Sequence, residues 1–342
     1  MTSETIKIAV IIPWSVDRDS RARRSIKEMA KYGIVDVFYL PYSQEDKSID
    51  WKYSSNIFFH PLEKPKDNLY SRLIENSFFY LKHSYFISYV LSKKIDYDII
   101  YIHDLISGHI GISLKKALKC KLIYDVHDLY IETLNQQFPV SENGKMKFKH
   151  YLMYKIMVFL GKKLEHKVVD KSEIVFTVNH SCMEYLQTKY QSNKILYFRN
   201  FPEYRNLPKQ NNNLAEKTLS NPDINFAVYI GSIARGRQLK NIVNSAPYLN
   251  ENNVIVIIGD GVIKSELIKI AEANKTINNK IFFLSSLPYD SLFETIIQAK
   301  LGLMLLDPIN KSKEYALANK ISEYMLCGIT PLLSNHIEHR KL

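Results

Sequence analysis

The stretch "FAVYIGSIARGRQLKNIV", Phe226 to Val243, decides the architecture. An apolar run of strand length stops at Gly231, a loop of small residues follows, and Arg235 and Arg237 lead into an amphipathic segment. Unbroken rather than alternating hydrophobicity is what a parallel strand, covered on both faces, requires. The same unit recurs on either side. "NVIVIIGDG" (253–261), "KIFFL" (280–284), "LGLMLL" (301–306) and "ITPLL" (329–333) follow it. "KIAVIIP" (7–13), "DVFYLP" (36–41), "NIFFH" (56–60), "DIIYIH" (98–103), "KLIYD" (121–125) and "EIVFTV" (173–178) precede it. Helix-length segments separate most of these runs, such as "SRARRSIKEMAKYG", whose Gly33 reads as a helix C-terminus.

The alternation breaks over 201–224, where prolines and an Asn run mark a linker. A chain of 342 residues exceeds what one core usually supports. The expectation is therefore α/β, with two Rossmann-like parallel-sheet domains facing across a cleft: residues 1–200, the linker, and residues 225–342. Ligands of open α/β sheets sit beyond the carboxyl ends of the strands, so the residues just after each strand are the candidates.

Bulk properties narrow the partners. The formal charge of +11 favours anions such as phosphates, nucleic acid or an acidic membrane face, although Lys-rich surfaces also serve solubility alone. No helix-turn-helix or aromatic–basic platform supports nucleic acid, which is not expected as a partner. Cys120, Cys182 and Cys327 are widely spaced and read as small core residues in a reducing compartment. The N-terminus lacks the layout of a signal peptide, and no apolar stretch reaches the ~20 residues of a membrane span, so a cytoplasmic protein is expected.

Three strand–helix junctions in the second half could carry chemistry. At 231–237, loop amides before a helix plus a guanidinium form a phosphate cradle; a solvated arginine pair is the plain alternative. In "IIGDGVIKSEL" (257–267), Gly259 and Gly261 flank Asp260, but Lys264 stands where a dinucleotide fingerprint needs glycine, and Gly-Asp-Gly is also ordinary turn chemistry. In "ALANKISEYMLCGITPLL" (316–333), Asn319 can cap a helix that Gly328 ends. Lys320 and Glu323, three apart, are either a surface ion pair or a pair aimed at a ligand, with the carboxylate on ribose hydroxyls; spacing does not choose.

These junctions, in this order, resemble the donor-binding domain of GT-B glycosyltransferases of the retaining family-four type. "IYIHDLISGHIG", "KLIYDVHDLYIE" and "FTVNHSCMEYL…ILYFRNFPEY" in the first half are similar to the same family. The resemblance implies a nucleoside-diphosphate-sugar donor held by the C-terminal domain and a glycan or lipid-linked acceptor held mainly by the N-terminal one. It implies cell-surface polysaccharide synthesis, retention of configuration, and neither a metal nor a cofactor beyond the donor. Glu323 would hold the ribose. Arg237 stands where the family usually has a diphosphate-binding Lys, and Ser232 where many members have a second Arg. Backbone amides at Gly231, Asn319 and Lys320 would complete the cradle, with Arg235, Gly259 and Asp260 nearby. Two departures stand out. Where many members carry a further glutamate, this chain has Tyr315, with Glu314 one place further out. The family also continues past "SNHIEHRKL", so the C-terminal domain is expected to be truncated.

In the first half, the resemblance places His127 near the transferred sugar. Asp125 and Asp128 beside it would favour the charged imidazole, although Asp-rich loops also simply cap helices. His103 and Asp104 are expected on the acceptor side, with Arg21 as an acceptor or phosphate contact. Asp17 and Asp19 form a DxD, read here as loop and helix capping rather than a metal site. The stretch 145–167, with seven lysines against one Glu among bulky apolar residues, fits an anionic membrane surface or a core helix with a basic outer face. The first would place the protein at the inner face of the membrane. Two other readings remain open: a non-catalytic partner on the same scaffold, and a sugar-nucleotide epimerase.

Overall fold

The computed structural model describes residues 5–16, 19–41, 55–62, 82–134, 138, 146–202, 224–287 and 289–342. Asp17 and most of the linker lie outside them. The chain divides into two units, Met1–Arg199 and Asn200–Leu342.

The first unit is built on a parallel sheet of seven strands: β1 (Ile6–Ile12), β2 (Gly33–Tyr39), β3 (Ile57–Pro61), β4 (Ile99–His103), β5 (Lys121–Val126), β6 (Ile174–Thr177) and β7 (Ile195–Tyr197). Their order in space is β3-β2-β1-β4-β5-β6-β7. The chain runs outward one way from β1 and the other way from β4, so the switch point lies between these two strands. The second sheet holds β8 (Asn225–Ile230), β9 (Asn253–Ile258), β10 (Ile281–Leu284), β11 (Leu301–Met304) and β12 (Thr330–Leu333), ordered β10-β9-β8-β11-β12. Its switch point lies between β8 and β11.

The unbroken apolar runs are explained by the second sheet. Phe226, Val228 and Ile230 pack into one core with Val254, Val256 and Ile258, while Tyr229, Ile255 and Ile257 point into the core on the opposite face. β8 and β9 are thus buried on both sides, as the sequence pattern requires.

Two local expectations are corrected. Gly33 does not end the first helix, which stops at Met29 with Ala30 as its C-cap. Gly33 instead opens β2, where a Cβ would lie 2.2 Å from the Ile6 carbonyl oxygen. Asn319 does not cap its helix: the helix Asn319–Leu326 has Ala318 at the cap position without a side-chain bond, and the Asn319 Oδ1 accepts from Asn200 Nδ2 at 2.9 Å. Gly328 does follow that helix with a φ of 71°, a left-handed residue suited to glycine. The helix lies close on its sheet because Gly302 has no side chain: a Cβ there would come 2.3 Å from the Tyr324 ring.

The Lys-rich stretch forms the 24-residue helix Phe148–Lys171, one side of which packs inward. Met157, Leu164, Val168 and Val169 are buried. Phe148, Tyr151, Leu152, Ile156 and Phe159 are exposed, and Lys155 and Lys163 lie over the Tyr151 and Phe159 rings at 5.3 and 4.5 Å. The outer face is therefore aromatic as well as basic. Among the described residues no helix is long and apolar enough to cross a membrane.

Candidate functional site

Two constellations form, one at each switch point. In the second unit, the loop after β8 and the helix after β11 meet beside Tyr229. The loop is set by backbone contact. Gly231 has a φ of 120° and donates its N–H to Ile258 at 2.9 Å, and a Cβ on Gly259 would sit 2.0 Å from the Gly231 carbonyl oxygen. Any side chain at 259 would force the two strand-end loops apart. The loop after β8 is also tied to the segment that follows β11, because Gln238 Nε2 donates to the Leu306 carbonyl at 3.0 Å.

Lys320 and Glu323 are not a surface pair: both are buried, at 8% and 7% exposure. The Lys320 Nζ lies 4.0 Å from the centroid of the Tyr229 ring. It points toward the Gly231 backbone, where a Cβ would be 3.2 Å away. Among the described residues it has no hydrogen-bond partner. Burial, then the guanidinium of Arg237, push its ammonium well below the ordinary lysine range, against the pull of Glu323. Arg237 is half-buried, within hydrogen-bond reach of the Tyr229 hydroxyl. Tyr229 donates its own O–H to the Ser232 carbonyl at 2.7 Å. The structure thus brings together Gly231, Ser232, Arg237, Lys320 and Glu323.

Other expected donor residues stand elsewhere. Arg235 is exposed and acts electrostatically on Glu266. The Asp260 carboxylate accepts from Lys264 Nζ at 2.8 Å and from the N–H and hydroxyl of Ser286 at 2.9 and 2.8 Å, bracing the loop. Glu314 pairs with Lys311 at 2.9 Å in a short turn of helix. Sequence reasoning named Lys320 as a candidate but missed the Tyr229 ring beneath it, which only its position at a strand end signalled.

In the first unit, β4 and β5 pair with His103 opposite Asp125, so residues at the two strand ends converge. His103 Nδ1 and His127 Nε2 are 2.8 Å apart, and His127 Nε2 is 3.3 Å from Asp125 Oδ2. The Asp104 Oδ1 accepts from the His127 backbone N–H at 2.8 Å. Asp104 itself has φ 55° and ψ 165°, a strained backbone for a residue with a side chain. Asp19 caps the helix Ser20–Met29 through Ala22 N, accepts from Trp14 Nε1 at 3.0 Å, and stands 3.6 Å from His127 Nδ1.

Arg21, expected to face an acceptor or a phosphate, is instead committed inside the protein. It is buried, its Nε donates to Asp125 at 3.2 Å, and its Nη1 donates to the Phe198 carbonyl at 3.0 Å. Tyr101 adds an O–H to Asp125 at 2.9 Å. Burial opposes ionisation of Asp125, but Arg21 and His127 outweigh it and hold the carboxyl well below the usual range. Burial likewise opposes charge on His127, yet Asp104, Asp125 and Asp19 raise it to about 9. Asp128 acts electrostatically on Asp104. Burial, with the His127 charge second, lowers His103 to about 3, so it is neutral. Asp104 rises to about 6, chiefly through burial. At neutral pH, His127 is therefore an imidazolium, a hydrogen-bond donor rather than a base.

His103, Asp125 and His127 place donor atoms within 4.8 Å of one another, close enough to hold a metal ion. Of these, Asp125 also accepts from the Arg21 guanidinium.

No family model matches the chain, and no curated protein matches it by sequence. Solved structures do match by shape. Anabaena Alr3699/HepE, solved in complex with UDP and glucose, is 12% identical with a TM-score of 0.69 over 98% of this chain and 82% of that one. Sucrose-phosphate synthase from Thermosynechococcus elongatus is 15% identical, with a TM-score of 0.67 over 97% and 82%. WaaG, a glycosyltransferase involved in lipopolysaccharide biosynthesis, is 12% identical, with a TM-score of 0.59 over 96% and 81%. The chain has the GT-B glycosyltransferase fold: two Rossmann-like units of parallel sheet with flanking helices.

Proposed function

We propose that the protein transfers a sugar from a nucleoside diphosphate to a glycan or lipid-linked acceptor, with retention of configuration and without a metal. The observation that carries this reading is the convergence of Arg237, Lys320 and Glu323 at the strand ends beside the β8/β11 switch point. A guanidinium and a lysine amine around a glycine backbone suit a diphosphate, and a buried carboxylate one helical turn further on suits the two hydroxyls of a ribose. Structural neighbours solved with UDP or UDP-glucose lend support. In the first unit, the His127 imidazolium and the Asp104 carboxylate offer a donor and an acceptor to sugar hydroxyls. Catalysis would be electrostatic, by stabilising charge on the departing diphosphate.

Thermal unfolding with UDP and GDP is the first check. A nucleotide at about 100 times its Kd adds ~2.7 kcal/mol to the native state, so one of the two should raise the melting temperature clearly. Transfer assays with the matching sugar nucleotides then separate the rivals. Binding without turnover across a donor panel favours a non-catalytic scaffold, and a changed donor without any acceptor favours an epimerase.

The aromatic and basic outer face of the helix Phe148–Lys171 supports action on an anionic membrane surface, as part of cell-surface polysaccharide synthesis. Each basic residue near such a surface contributes ~1 kcal/mol, and rings beside the ammonium groups can enter the headgroup layer. The protein should sediment with phosphatidylglycerol vesicles at low salt and be released near 1 M salt, where the screening length falls to about 3 Å. Phe148→Ser with Phe159→Ser should weaken retention further. Absence of retention on anionic vesicles at low salt removes the membrane from this proposal.

A further inference from the structure

The Lys320 ammonium has an environment that no structural role explains. It is nine-tenths buried at the first turn of a helix, and its Nζ makes no hydrogen bond among the described residues. Below it lies the face of Tyr229, and before it the bare backbone of Gly231. The charged groups acting on it are Arg237 from the loop after β8, Lys313 from the short helix Lys311–Glu314, and Glu323 from its own helix. Two of the three are cations. An aromatic face offers some attraction to an ammonium, but less than the water it replaces.

We propose that Lys320 is a proton-accepting ligand of the donor diphosphate: a neutral amine before the donor binds, it gains its proton as the anion enters. This rests on the reading of the second unit as a nucleoside-diphosphate site. The chemistry balances simply. The amine lone pair takes one proton from solvent, and the resulting ammonium donates to a phosphate oxygen across the space that Gly231 leaves open.

Burial and Arg237 hold the unliganded amine well below the ordinary lysine value. A phosphate charge within about 4–6 Å shifts such an equilibrium toward the ammonium by roughly ten- to a thousandfold. Binding and protonation are then the same event, so affinity rises as pH falls through the range in which the unliganded amine titrates. The consequence for function is discrimination by charge. A diphosphate recruits the second cation, and a neutral nucleoside does not.

Calorimetric titration of the full chain with UDP-glucose, and with UDP, tests this. UDP-glucose carries no phosphate group that titrates near neutrality, so any proton taken up at pH 7.5–8 belongs to the protein. The observed heat should depend on the ionisation enthalpy of the buffer, with a slope approaching one proton taken up per ligand. Lys320→Arg should bind without proton uptake, because a guanidinium is already charged. Lys320→Met should weaken binding by roughly ten- to a hundredfold, with uridine affinity unchanged. Buffer-independent heats for the unaltered protein, or uptake that persists in Lys320→Arg, overturn the proposal and leave the donor site standing. Failure of every nucleoside diphosphate and its sugar to bind removes the site itself, and the proposal with it.

Discussion

Arg237→Ala should slow sugar transfer by about 10²–10³-fold, the effect of deleting one preorganised donor from an electrostatic site, or ~2.7–4 kcal/mol of barrier. The expectation follows from position. Arg237 is half-buried beside Tyr229, and among the described residues it is the one guanidinium that the structure brings to Lys320, while Arg235 is turned to solvent. Its fork can meet two phosphate oxygens at once as charge accumulates on the leaving group. Arg237→Lys keeps the charge without the fork and should fall between alanine and the unaltered protein. Arg235→Ala should leave turnover within a few-fold. The measurement is single-turnover transfer at saturating donor, with melting temperature as the folding control. Turnover of the alanine variant within tenfold of the parent would exclude Arg237 from the departing diphosphate.

The two sheets were legible because a strand buried on both faces leaves an uninterrupted apolar run. β7, only Ile195–Tyr197, is too short to leave one. Gly33 misled for a different reason. Glycine after an amphipathic run is a helix-end signal, but here it is demanded by the close approach of Ile6 across the sheet, a contact that no local pattern contains. Lys320 and Glu323 show the limit most clearly. Their spacing is equally that of a surface ion pair, and only the packing of Tyr324 on Gly302 decides that this face of the helix turns inward.

The first unit hides its main device more completely. Arg21 and Asp125 are 104 positions apart, and neither belongs to a motif that requires the other. Asp125 was read as a neighbour of His127, whereas it is the anion on which a buried guanidinium, a buried tyrosine and an imidazolium all converge. The two strand-end sites are therefore electrostatic opposites. Around Lys320 positive charge gathers without enough anion, as a binding site for phosphate should be. Around Asp125 the charges are already matched, which suits a scaffold that presents His127 in one orientation and one protonation state.

Asp125→Asn should therefore destabilise the first unit by about 3–5 kcal/mol, since removing one partner of a buried ion pair leaves the other charge uncompensated. Arg21 and Asp125 are 4% and 0% exposed, so water cannot take over the role of the lost carboxylate. The shape is nearly unchanged in asparagine, which confines the effect to charge and hydrogen bonding. The pH dependence carries a sign that identifies the network. Asp125 is depressed in the folded state, so its contribution is present above the unfolded value of about 3.9 and disappears as pH falls below it. His127 is raised to about 9, so its contribution is full below the unfolded value of about 6.5 and is lost as pH climbs toward 9. Urea unfolding from pH 3 to 10 should give the parent a stability maximum between these limits, and Asp125→Asn should flatten both flanks. Replacing both partners, Arg21→Met with Asp125→Leu, should recover part of the loss: no guanidinium is then left unpaired, although His127 and the Tyr101 hydroxyl still lose an acceptor. If Asp125→Asn stays within about 1 kcal/mol of the parent at pH 6, well short of the cost of an uncompensated buried charge, the guanidinium has found water or another acceptor, and Asp125 does not hold the first unit's site together.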